Sequence, residues 1–172
     1  MSARKLLVCT SLLVAFCIAA PGVAAAKQSG TERPVKGSGS STTTIDLTTL
    51  GSTTEGTAII SHLGKTTLTQ SFTITPTGPL AFNLTGGTAT FVAANGDQLF
   101  ATITGSGTQS APGVGVGITI DVDSVFAITG GTGRFADASG RLTVPIDVTI
   151  VSLVGTTVGT SDTFTLRGQI SY

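Results

Sequence analysis

From about Thr42 to the C-terminus the chain alternates apolar and polar residues with a period of two, and no stretch sustains a helical period with caps. A period of two puts successive side chains on opposite faces of a strand, so one face is buried and the other is wet. An all-β domain is predicted. The clearest runs are the last two. Leu142, Val144, Ile146, Val148 and Ile150 alternate with Arg141, Thr143, Asp147 and Thr149, and Phe164, Leu166 and Ile170 alternate with Thr163, Thr165, Arg167 and Gln169. Pro145 has no N–H to give to a ladder, so it is expected at a bulge or with its nitrogen turned from a partner strand.

The earlier segments repeat the pattern with punctuation. Residues 66–75 read as a strand stopped by Pro76-Thr77-Gly78-Pro79. Residues 88–93 and 98–104 flank Ala94-Asn95-Gly96-Asp97, and Asn-Gly is a strong hairpin signal, which makes Asn95, Gly96 and Asp97 the turn. Residues 105–117 read as a Gly/Ser-rich loop. Adding 43–48, 56–62, 80–84 and 118–128 gives nine short segments, about the eight strands of a small barrel that closes on itself. The words Thr85-Gly86-Gly87-Thr88 and Thr129-Gly130-Gly131-Thr132 are either a weak internal repeat or two turns that each need paired glycines.

The N-terminus reads as an export signal over residues 1–26. Arg4 and Lys5 precede the apolar run 6–20, and Ala24-Ala25-Ala26 offers a small-residue cleavage site. Pro21 and Gly22 interrupt the run, which is shorter than the roughly 20 residues of a spanning helix. A secreted, extracytoplasmic protein is expected. Cys9 and Cys17 both fall in this signal, so the mature chain should have no thiol, and Phe16 before Cys17 argues against acylation. Residues 27–41, rich in Ser, Gly and charge, read as a flexible linker, leaving 42–172 as the barrel domain.

Charge narrows the partners. Without Arg4 and Lys5, the 9 basic residues fall to 7 against 9 acidic ones, a formal net charge of −2. A phosphate backbone is normally met by a basic stripe and stacking aromatics, and a chain with one Tyr and no Trp offers neither, so nucleic acid is excluded as a partner. Stable insertion as an outer-membrane barrel is not expected either, because such barrels carry aromatic girdles and aromatics are 5% of this chain.

The run Phe126-Ala127-Ile128-Thr129-Gly130-Gly131-Thr132-Gly133-Arg134-Phe135, followed by Ala138-Ser139-Gly140, resembles the allene oxide cyclase and dirigent barrel superfamily. Ala94-Asn95-Gly96-Asp97-Gln98-Leu99-Phe100 and Ser61-His62-Leu63-Gly64-Lys65 add to a similarity with its secreted bacterial members, with matching pieces over residues 56–172. The resemblance implies an eight-stranded antiparallel barrel with an inner cavity or apolar core. The functional residues of the cyclases and dirigent proteins have no counterparts here, so it implies architecture alone.

Candidate chemistry is sparse. His62 is the single histidine and the one side chain that ordinarily titrates near neutrality, which makes it a candidate for proton transfer or a hydrogen-bonded structural residue. Asp121 and Asp123 share one face of a strand, about 7 Å apart, alternating with Ile118, Ile120, Val122 and Phe126. That phase suits a solvated outer face, and two carboxylates on an extended segment fall short of a calcium site. Gly131-Thr132-Gly133 lacks the third glycine and the following helix of a dinucleotide cradle, and the run Gly130, Gly131, Thr132, Gly133, Arg134 and Phe135 reads as a tight corner in which Phe135 plugs the barrel and Arg134 pairs with Asp137. Asn83-Leu84-Thr85 fits a glycosylation acceptor but sits among ordinary strand residues. No metal or cofactor is expected. The function expected is binding of a small hydrophobic ligand, or an extracellular scaffold, without catalysis. The alternatives are a cyclase or isomerase acting on a hydrophobic substrate, and a structural envelope protein with a filled barrel. A cavity holding a convergent polar group separates these readings. Oligomeric state is left open.

Overall fold

The computed structural model describes residues 30–172. The expected signal at 1–26 lies outside them. Among the described residues, eight antiparallel strands follow in chain order: β1 (Glu32–Asp46), β2 (Gly51–Ile60), β3 (Gly64–Pro76), β4 (Ala81–Ala93), β5 (Gln98–Gln109), β6 (Thr119–Gly131), β7 (Ser139–Val154) and β8 (Thr157–Ser171). Each pairs with the next, and β1 pairs with β8, so the sheet is a closed barrel. Closure leaves no edge strand to be covered. The all-β antiparallel barrel expected from the alternation is the observed fold.

The linker expected at 27–41 is corrected from Glu32 onward, where the chain is strand β1 and pairs with β8 from Glu32↔Ser171 to Asp46↔Thr157. The domain therefore begins about ten residues earlier than the composition suggests. The alternation is hidden because two inward positions, Gly37 and Gly39, are glycine. A Cβ on Gly39 would lie 2.7 Å from Phe164 Cζ, so the ring from the neighbouring strand occupies the space that a side chain would need.

Two further boundaries move for related reasons. Segments 80–84 and 88–93 are one strand, β4, with a bulge where the register to β5 shifts between Leu84 and Gly87 and Gly86 takes φ +62°. The second glycine pair also sits at a bulge: the β5–β6 register shifts at Phe100/Ala101, opposite Gly130. Both words thus mark an extra residue in a strand rather than a turn. The loop expected at 105–117 is strand as far as Gln109, with Gly107 lying under the ring of Phe82. Pro145 makes no bulge; the β7–β8 ladder skips Val144 and Pro145 and resumes in the same register.

The interior is layered. One end is filled by a large apolar cluster that includes Leu68, Phe91, Ile103, Phe126, Phe135 and Phe164. The other end holds a smaller cluster, Leu84, Ile120, Val122, Ile150 and Val158, ringed by half-buried Ile45, Phe72, Ile74 and Phe82. Between them the inward positions turn polar: Ser41, Thr43, Thr54, Ser124, Thr160 and Asp162 are all buried.

Candidate functional site

Three sequence words converge at one pole of the barrel. The β2–β3 turn carries His62, the β4–β5 turn carries Asn95, Gly96 and Asp97, and the β6–β7 connection carries residues 130–135. Gly96 takes φ +89° and its N–H bonds to Ala93 O at 2.9 Å, while Asn95 stays at negative φ, so the hairpin is a tight turn closed by a glycine bulge. Asn95 Nδ2 donates to Asp97 Oδ2 at 2.8 Å. Thr132 then ties the two connections, accepting from Gln98 N–H at 2.9 Å through its hydroxyl and donating its own N–H to Gln98 O at 2.8 Å.

Arg134 completes this pole. Its guanidinium lies 3.6 Å from Asp97 Oδ2, donates to His62 O at 2.8 Å, and sits 4.8 Å from the centre of the Phe135 ring. The carboxylate it reaches is thus Asp97, two strands earlier in the chain than the Asp137 suggested by proximity in sequence. Phe135, in the 3₁₀ turn Gly133–Phe135, is fully buried and meets Tyr172 edge-on at 4.9 Å. Gly133 takes φ +56° against the Asp97 carboxylate, where a Cβ has no room. This end is sealed.

His62 belongs to the same closure. It takes φ +69°, its Nε2 lies 3.1 Å from Pro34 O, and its ring faces Tyr172 at 6.4 Å. It is exposed on the outside of the sealed pole and does not line the interior cavity. Asp121 and Asp123 point outward and are exposed, as their phase predicts, and Asn83 is likewise an exposed strand residue.

The opposite pole is open. Here the turns β1–β2 and β3–β4 and the loop 110–118 border a cavity of about 290 Å³, near the lower end of small-molecule sites. Its walls are apolar, with Ile45, Phe72, Ile74, Val122, Ile150 and Val158 among them. The polar belt forms the inner limit, and within it lies Asp162, 3% exposed. Asp162 Oδ2 accepts from Thr43 Oγ1 at 2.7 Å and Ser41 Oγ at 3.1 Å, and Oδ1 accepts from Thr160 Oγ1 at 2.6 Å. Thr43 Oγ1 in turn lies 2.8 Å from Thr54 Oγ1. No lysine or arginine among the described residues pairs with this carboxylate.

These residues escaped the reading of the chain, although one signal was available. Asp162 stands two positions before Phe164, in phase with Leu166 and Ile170, so a carboxylate occupies the inward set of β8. A charge in an apolar phase is the mark of a buried polar site. Thr43, Thr54 and Ser41 carried no such mark, because strands 1 and 2 alternate hydroxyl with hydroxyl. Compared with protein-family models, with curated proteins and with solved structures, the chain matches none.

Proposed function

We propose that the protein is an extracytoplasmic binding barrel that takes a small, largely apolar molecule into its open half. The observation that carries this reading is the cavity of about 290 Å³, apolar in its walls and limited by one convergent polar group, Asp162 with its hydroxyls. Apolar burial supplies the affinity of such a site and the few polar atoms fix orientation. Its mouth is apolar as well, with Val114 and Leu80 both lining the cavity and exposed to solvent. A hollow open half favours binding over a solidly packed structural barrel.

Catalysis is the weaker alternative. Among the described residues, Asp162 is the one ionisable side chain that lines the cavity, so an acid–base pair has no second member there. His62, at the other pole, cannot serve as that partner. Kinship with the allene oxide cyclase and dirigent barrels remains part of the proposal. It is supported by the eight-stranded closure and by the meeting of the three resembling segments at one pole.

The test is calorimetric titration of the mature protein with 1-octanol at several temperatures, alongside native mass spectrometry of protein purified from its own host. Saturable 1:1 binding with a negative heat-capacity change is expected, since that is the mark of apolar burial. An absence of saturable binding, with a bare mass in the spectrometer, would overturn the reading.

A further inference from the structure

The belt at the base of the cavity has given away its hydrogens. Ser41, Thr43 and Thr160 each own one hydroxyl proton, and each donates it to Asp162. With the Thr43 proton committed, the 2.8 Å contact to Thr54 is a bond in which Thr54 donates. Ser124 donates to Val144 O at 2.8 Å. What these five hydroxyls still present is lone pairs. A carboxylate has about four acceptor positions, of which Asp162 uses three, so one remains on Oδ1. Gln70 and Gln109 are the exceptions on the cavity wall, with amides that both donate and accept, and Gln109 already gives one N–H to Gly113 O at 3.2 Å.

A surface of acceptors around a buried carboxylate calls for a donor with positive charge. We propose that the open half selects a molecule with a protonated amine at one end and a short apolar body at the other. This rests on the cavity being a ligand site. The ammonium would bring three N–H donors to the free Oδ1 position and the hydroxyl lone pairs. It would also supply the countercharge that the described residues do not give Asp162. A ligand carboxylate would meet acceptors and a like charge.

The outer surface points the same way. The lysines and arginines among the described residues, Arg33, Lys36, Lys65, Arg134, Arg141 and Arg167, all lie in the sealed half. Of the acidic residues on the outside, Glu32, Asp97 and Asp137 accompany them there, while Asp46, Glu55, Asp121, Asp123 and Asp147 lie in the open half with no described basic residue, Asp121 and Asp147 being direct cross-strand partners despite their like charge. Such a distribution attracts cations toward the mouth and turns anions away.

The experiment compares three probes of one chain length, octylamine, 1-octanol and octanoate, by calorimetric titration at neutral pH. Octylamine is expected to bind about ten-fold or more tightly than octanol, and octanoate more weakly than octanol. In Asp162→Asn the amine-to-octanol ratio should shrink to roughly two-fold or less. If that variant does not fold, the ranking on the natural protein decides. Octanol binding as tightly as octylamine would overturn the amine selectivity while leaving the cavity as a ligand site. Failure of all three to bind would remove both.

Discussion

Thr43 Oγ1 donates to Asp162 Oδ2 at 2.7 Å, joining side chains 119 residues apart across the β1–β8 seam that closes the barrel. The same hydroxyl takes the proton of Thr54. Thr43→Val keeps the volume but takes a donor from a buried carboxylate and an acceptor from Thr54, and should cost about 1.5–3 kcal/mol. Urea unfolding measures it. A loss below about 0.5 kcal/mol would mean that the belt contributes little to closing the seam.

Val122 faces the cavity from β6, just above Ser124. In Val122→Phe the added ring can extend into open space, so the overpacking that usually costs about 1–3 kcal/mol should be mostly avoided. The expected outcome is a near-unchanged unfolding midpoint with octanol and octylamine affinities each reduced about ten-fold or more. Undiminished affinity would place the ligand elsewhere.

Phe135 and Arg134 are adjacent in sequence but unequal in energy. Phe135 is fully buried against Tyr172, whereas the Arg134 side chain is 43% exposed. Phe135→Ala should destabilise by about 3–5 kcal/mol through the cavity it leaves at the sealed pole. Arg134→Ala should cost about 1 kcal/mol or less, since an exposed ion pair is screened by water. Equal losses in urea melts would mean that the pole is held by charge rather than packing.

At the mouth, Asp46 accepts the Thr48 N–H at 2.8 Å, and this backbone hydrogen bond holds its carboxyl below the ordinary carboxylate value. A lowered value in the folded chain means that the unfolded chain binds the proton more readily. The contribution of Asp46 is therefore complete above the ordinary carboxylate value and lost as the pH falls through the lowered one. Comparison of Asp46→Asn with the natural protein across acid pH should show a stability difference at neutral pH that closes in acid. A difference that grows in acid would reverse the assignment.

Much of the fold was legible because strand periodicity is local. The inward set of β7 and β8 could be read residue by residue, and the outward placing of Asp121 and Asp123 followed from the same phase. Only the end of β1 was legible, as the strand at 43–48; its first part was not, since Gly37 and Gly39 replace the apolar residues of its inward face, and the reason for them, Ile60 and Phe164, lies on other strands. The glycine pairs were visible as breaks in the pattern. That they are bulges inside β4 and β6 depends on the register of the neighbouring strands.

By itself, the sequence determined the class: alternation with Gly, Pro and Asn punctuation admits an antiparallel sheet and little else. It also marked the corner at Gly133 and Phe135. The tertiary structure alone decided which pole is sealed and which is open, that His62 closes an end instead of facing a cavity, and that Arg134 meets Asp97. It decided the site as well. Ser41, Thr43, Thr54 and Thr160 are ordinary strand residues, and Asp162 only a charge in an apolar phase, until ring closure places β1 beside β8 and directs their side chains into one shared interior.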